Sequence, residues 1–183
     1  MTKIINLFAG PGAGKSSIAS GLLYKLKKNH ISCDNPYEFP KLLAWDENYN
    51  AIQDQLYVIA NQHRGIVKSY GKVDYIILDS PILLSLVYKT AYKEDSYPSK
   101  LYGESFDKMI LDIHNQYDNI NIFLKRTNDI GYNENERYQT YNESLELDNK
   151  IKNVLDSHNI PYFEVKVGNK TVNKIINNFI LNK

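Results

Sequence analysis

The sequence is poor in the residues that build covalently or metal-stapled scaffolds. One cysteine, Cys33, in 183 residues excludes a disulfide framework and any Cys-rich zinc site. The four histidines lie too far apart in sequence to form a local metal motif. Charge of one sign is missing as well. The 22 basic and 21 acidic residues leave a net charge of +1, which gives no electrostatic case for nucleic acid or a membrane as the main partner. Long apolar runs are absent. The longest, Ile76 to Tyr88, contains Asp79 and Pro81 and falls short of the roughly 20 residues that span a bilayer. The first apolar run leads straight into a glycine-rich loop, so no secretory leader is expected. With one thiol, a reducing cytoplasm is the expected compartment. Arginine is also scarce: Arg64, Arg126 and Arg137 stand against nineteen lysines. In a composition rich in Lys, Asn, Ile and Tyr, each retained arginine is a candidate for work that needs a planar fork of donors.

What is present is a phosphate-binding loop. The apolar run Ile4-Ile5-Asn6-Leu7-Phe8 is followed by Ala9-Gly10-Pro11-Gly12-Ala13-Gly14-Lys15-Ser16, then by a helical pattern. This is a P-loop with Ala in place of the usual first Gly, in the strand–loop–helix context the motif requires. Its glycines let backbone N–H groups wrap an anion, and the helix behind adds its positive end. The expected nucleotide-binding residues are Gly10, Pro11, Gly12, Ala13, Gly14, Lys15, Ser16 and Ser17. Lys15 can reach the β- and γ-phosphates, and the Ser16 hydroxyl can ligate Mg²⁺.

Hydrophobic content of 43% and charged content of 23% are those of a globular chain. The length predicts one domain, 1–183. Strands are expected over Lys3–Ala9, Ile31–Asp34, Val73–Asp79, Ile120–Arg126 and Tyr162–Val167. Helices are expected over Lys15–Lys28, Glu38–Trp45, Tyr49–Tyr70, Ile82–Tyr92, Glu104–Tyr117, Tyr141–His158 and Thr171–Leu181. The polar stretch Thr127–Thr140 has no periodicity and reads as a lid loop. Strands alternating with helices imply an α/β fold: about five parallel strands, helices on both faces, and the ligand at the strands' carboxyl ends.

Asp79 ends an apolar strand, where a P-loop enzyme holds Mg²⁺; an Asp there can also cap the helix that follows. Glu38 follows the second strand among Tyr37, Phe39 and Trp45. It is the candidate to take or orient an acceptor's hydroxyl proton, with Asp34 and Asp46 as substitutes. Gln55 and Gln62, seven apart, share a helix face and can read an amide or base edge or simply meet solvent. Trp45, Gln55 and Arg64 are taken as acceptor contacts. Arg126 ends a strand and Arg137 lies in the lid, where guanidinium groups stabilise charge on a transferred phosphoryl group.

Taken in order, these segments resemble small P-loop nucleoside and nucleotide kinases with a nucleoside monophosphate kinase-like fold. The likeness is to phage-encoded P-loop kinase-like proteins related to the ribosylnicotinamide kinase-like ATPase group. It is carried by Asn6-Leu7-Phe8-Ala9-Gly10-Pro11-Gly12-Ala13-Gly14-Lys15-Ser16, Tyr37-Glu38-Phe39, Asp54-Gln55-Leu56-Tyr57, Gly71-Lys72-Val73-Asp74-Tyr75, Leu78-Asp79-Ser80-Pro81 and Phe123-Leu124-Lys125-Arg126. Deoxynucleoside kinases similarly place a catalytic Glu after the second strand with a Trp nearby, which bears on Glu38 and Trp45. Their Glu-Arg-Ser segment after the third strand has no counterpart here. The resemblance implies ATP- and Mg²⁺-dependent phosphoryl transfer to a nucleoside, nucleotide or nucleotide-like acceptor, with a modified DNA base among the acceptors to test. The alternative is an NTP-binding switch or a nucleotide-sequestering module. No Asn-Lys-x-Asp guanine-reading segment is present, which argues against a GTPase.

Overall fold

In a computed structural model of the chain, residues 1–89, 103–127 and 140–181 are described. Five strands, β1 (Lys3–Phe8), β2 (Cys33–Asp34), β3 (Tyr75–Leu78), β4 (Asp118–Lys125) and β5 (Phe163–Lys166), form one sheet in the order β2-β3-β1-β4-β5. Every pairing is parallel. The helices are α1 (Lys15–Lys28), α2 (Phe39–Trp45), α3 (Tyr49–Gln53), α4 (Gln55–Ser69), α5 (Leu84–Tyr88), α6 (Glu104–Asn115), α7 (Tyr141–Ser157) and α8 (Thr171–Ile176). A π-helical turn, Asn177–Leu181, continues α8.

Parallel strands buried on both faces need apolar residues at successive positions. β1 supplies them: Ile4 and Phe8 face a cluster with α4, α5, α6 and α7, through Ile59, Leu84, Ile110 and Leu147. Ile5 and Leu7 face the other side, with Ile18, Leu22 and Leu26 of α1 and Ile175 of α8. The expected layers, helices on both faces of a parallel sheet, are therefore those observed. Between β1 and β4 the pattern includes one polar exception. Asn6 pairs with Asn121 in register, and its Nδ2 donates to Asn119 Oδ1 and Asn121 Oδ1, both at 2.9 Å. A one-residue slip would separate these buried amides, so the network pins the register.

The long helix expected over Tyr49–Tyr70 is two helices. Asp54, at φ −75° and ψ 86°, leaves the helical region and caps α4, its side chain accepting the Tyr57 N–H at 3.1 Å. Asn48 caps α3 in the same way through Ala51 N–H. The apolar period runs through the break, so it did not reveal it; the two Asx caps did carry the signal. Gly71 stands just past α4 at φ 78°, a left-handed position that favours glycine. The helix expected over Ile82–Tyr92 is described as the single turn of α5. Ile82, Leu83 and Lys89 flank it as turn residues, while residues 90–92, most of the proposed lid and Arg137 lie outside the described residues.

Candidate phosphate-binding and acceptor site

The sheet order brings the carboxyl ends of β3, β1 and β4 side by side. From β1 the chain enters the glycine-rich loop. Gly12 and Gly14 both adopt φ 81°, a conformation that points successive N–H groups to one side and strains any residue with a Cβ. Gly14 is the N-cap of α1 and makes no side-chain cap, so the first N–H groups of the helix are left for a ligand. Lys15 folds back over the loop, its Nζ donating to Ala9 O at 2.7 Å and Gly10 O at 3.1 Å. Burial pushes the Lys15 pKa down, and the Arg126 charge pushes the same way. The carboxylates of Glu38, Asp79 and Asp148 partly offset this. An ammonium held this way gains from the arrival of an anion, which replaces lost hydration.

Asp79 follows β3 directly and is 7% exposed. Among the described residues, its carboxylate accepts no hydrogen bond. With Pro36, Tyr37, Glu38, Gln62, Leu78 and Ser80, it lines a cleft of about 280 Å³ including its open mouth. Glu38 stands at the N-terminal boundary of α2 without capping it through its side chain. The cleft thus joins the segment after β2 to the end of β3, and both of its carboxylates act electrostatically on Lys15. Gln62 donates from Nε2 to Ser80 O and Ser80 Oγ, each at 3.0 Å, while its buried Oε1 has no hydrogen-bond partner among the described residues.

The other expected acceptor contacts lie elsewhere. Gln55 is buried and donates to Ile52 O at 2.8 Å. Trp45 is exposed at the end of α2, with Lys41 Nζ 4.8 Å from its ring centroid. Arg64 is exposed on α4, two residues and about 200° around the helix from Gln62. None of the three is among the residues that line the cleft. Gln62, weighed at the sequence level but not chosen, is among them.

Arg126 lies beside the loop, but its donors are turned to protein acceptors. Nε donates to Asp148 Oδ2 at 2.6 Å, and Nη2 donates to Pro11 O at 2.7 Å and to Ser144 Oγ. Asp148 and Ser144 are on α7, and neither was singled out from the sequence. Nothing in the local pattern marks them, because their partners in the loop, Gly10 and Pro11, lie more than a hundred residues away.

The donor set fits a nucleotide with a divalent cation. The loop offers oriented N–H groups and an ammonium; Asp79 and Ser16 offer hard oxygen atoms. Mg²⁺ takes few protein ligands and keeps several waters. No cluster of three His, Cys, Asp or Glu occurs among the described residues, and such a site does not need one.

A parallel sheet of order 2-3-1-4-5 with a glycine-rich loop after its first-numbered strand defines a P-loop nucleotide-binding α/β protein. The sequence family described as AAA domain matches residues 4–171, and the chain belongs to it. No curated protein sequence matches the chain. Among solved structures it is similar to deoxyadenosine kinase from M. mycoides with bound dATP, at 18% identity and a TM-score of 0.56, covering 97% of this chain and 98% of that one. It is also similar to NadR protein in complex with NR, at 10% identity and a TM-score of 0.66, covering 96% of this chain but only 50% of that one. Thymidylate kinase from Ehrlichia chaffeensis matches at 12% identity and a TM-score of 0.52, covering 96% and 95%. At these identities the likeness is one of fold. No helix of the described residues is long and apolar enough to cross a membrane.

Proposed function

We propose that the protein is a kinase that transfers the γ-phosphoryl group of ATP to a hydroxyl of a nucleoside or nucleoside-like metabolite. The observation that carries this reading is the cleft that Glu38 and Asp79 both line, with the charges of both acting on the Lys15 ammonium. A nucleotide-binding switch needs the loop, Lys15 and Asp79. It does not need a second carboxylate in an adjoining cleft. The lining also selects between acceptor chemistries. Among the described residues it holds two carboxylates and no Lys or Arg, which suits a neutral hydroxyl better than a phosphate dianion. Deoxyadenosine kinase and the NR-bound protein agree with this reading, whereas thymidylate kinase is named for a monophosphate acceptor.

In the proposed reaction the loop N–H groups and Lys15 hold the triphosphate. Asp79 and Ser16 would hold Mg²⁺, whose chemistry is to neutralise charge on the phosphate oxygens. Glu38 accepts the acceptor's hydroxyl proton. The oxygen attacks the γ-phosphorus, the bond to the β–γ bridging oxygen breaks, and ADP leaves with that electron pair. Gln62, oriented by Ser80, offers its unpartnered carbonyl oxygen to a donor on the acceptor. Arg137 is retained as the guanidinium expected to act on the transferred group. No membrane partner is proposed.

The test is phosphoryl transfer from labelled ATP with Mg²⁺ to a panel of nucleosides, nucleoside monophosphates, nicotinamide riboside and DNA carrying hydroxymethylated bases. Transfer to a free nucleoside or riboside is expected. Transfer to monophosphates alone, or hydrolysis with no acceptor dependence, would overturn the proposal.

A further inference from the structure

The phosphate loop is held from behind by three side chains outside the motif. Gly10 N–H donates to Asp148 Oδ1 at 2.5 Å. The other oxygen of the same carboxylate accepts from Arg126 Nε at 2.6 Å. Pro11 O accepts from Arg126 Nη2 at 2.7 Å and from Ser144 Oγ at 2.5 Å. Asp148 and Arg126 are largely buried, with side chains 14% and 10% exposed, so the pair is shielded from the screening that weakens surface ion pairs. The packing leaves no slack. A Cβ on Gly10 would meet the Ser144 carbonyl oxygen at 2.6 Å, and Arg126 Nη2 and Asp148 Oδ1 at 3.1 Å each. Gly10 is thus required for close approach to α7, a different reason from the positive φ of Gly12 and Gly14.

We propose that Asp148 is a positioning residue for nucleotide binding: its carboxylate, shared between Gly10 N–H and Arg126 Nε, fixes the first turn of the phosphate loop so that the N–H groups after Pro11 converge on phosphate. The inference rests on the reading of the loop as a triphosphate site. Three features of the geometry carry it. First, Gly10 and Pro11 face α7, so this turn can be anchored without using the N–H groups of Gly12 through Ser16. Second, the anchor is charge-assisted on both sides of one carboxylate, which makes it strong and directional. Third, Asp148 offsets the Arg126 cation near Lys15: the two charges act on the Lys15 ammonium with opposite sign. Without Asp148, a buried guanidinium would stand unpaired beside the loop, and its Nε would compete for other acceptors. On this assignment Arg126 acts through the loop backbone instead of touching the transferred phosphoryl group.

The experiment compares wild type with Asp148→Asn, Ser144→Ala and Leu147→Ala. Leu147 is buried on the same helix in an apolar cluster with Ile151 and Leu155, so it reports on loss of α7 packing. Affinity for ATP with Mg²⁺ is measured by calorimetry, thermal midpoint by scanning calorimetry, and amide exchange of residues 10–16 without nucleotide by hydrogen–deuterium exchange. Asp148→Asn is expected to weaken ATP binding about tenfold or more and to speed exchange in the loop. Ser144→Ala should do the same to a smaller degree, and it stands in for Asp148→Asn if that variant does not fold. Leu147→Ala should lower the midpoint and leave both loop exchange and ATP affinity within a few-fold of wild type. Unchanged loop exchange in both polar variants would overturn the proposal whatever the protein binds. So would equal losses of affinity in Leu147→Ala and Asp148→Asn. If wild type binds no ATP, the nucleotide reading fails separately, and the exchange measurement still decides whether Asp148 orders the loop.

Discussion

Glu38 occupies a helix boundary without serving it as a side-chain cap, and its charge bears on Lys15 instead. Its amide analogue therefore separates chemistry from binding. Glu38→Gln keeps size and shape but cannot take a proton. Turnover should fall by about 10²–10⁴-fold, with the KM for ATP changed little, in steady-state assays with the acceptor saturating. A kinetically silent substitution would point to an acceptor already ionised, a phosphate, and would move the assignment toward a nucleoside monophosphate kinase. At this scale the sequence was readable wherever backbone geometry dictates residue type. The glycines of the loop, Lys15, Ser16 and Asp79 all follow from one motif and one strand end. Gln55 and Gln62 show what periodicity leaves out. It tells which residues share a face, not how deep each one sits. The break at Asp54 puts Gln55 in the first turn of α4, where its amide reaches Ile52 O; two turns on, Gln62 reaches Ser80. The anchoring role of Asp148 was not legible, since it depends on contacts far apart in the chain.

Among the elements, α6 makes a prediction independent of any ligand. His114, near its C-terminal end, is buried, and burial pushes its pKa from 6.5 down to about 4. The unfolded chain takes up this proton near pH 6.5, whereas the folded chain resists until about pH 4. Between those values the unfolded state binds more protons, so this group's contribution is full above pH 6.5 and is lost as pH falls toward 4. The amount is on the order of 3 kcal/mol. Urea unfolding at pH 7 and pH 4.5 should show wild type losing more stability over that interval than His114→Phe, whose ring does not titrate. Equal losses in the two proteins would show that His114 titrates normally in the folded state. The helix expected over Glu104–Tyr117 contains His114, but its period did not single this residue out; in the structure it is buried with Phe106 and Ile110. Its depth follows from packing of α6 against β4, which a local pattern does not contain. Element identity was legible because strands and helices alternate with distinct periods. Boundaries moved wherever a cap outweighed the period, as at Asp54.

For the whole molecule, strand order is what turns scattered motifs into a site. The sequence implies five parallel strands, but the order 2-3-1-4-5 comes from crossover connections between distant segments. That order sets the phosphate loop after β1 between Asp79 after β3 and Arg126 after β4, and it leaves Pro36–Glu38 after β2 to close the cleft from beyond β3. Binding at this junction must stabilise the whole sheet, because ligand bound only to the folded state shifts the unfolding equilibrium by mass action. ATP with Mg²⁺ at a hundred times its Kd should add about 2.7 kcal/mol, which for a chain of this size raises the thermal midpoint by roughly 5–10 °C. Lys15→Ala should erase that shift. Without nucleotide, the same variant should melt at or slightly above the wild-type temperature. It gives up two hydrogen bonds to Ala9 and Gly10 carbonyls, but it also removes a cation whose burial is unfavourable enough to lower its pKa. Scanning calorimetry with and without ATP reads both effects. A Lys15→Ala protein that keeps the full ATP-dependent shift would show that the triphosphate does not bind at this loop. One that melts well below wild type without nucleotide would show that Lys15 serves the fold, not a ligand.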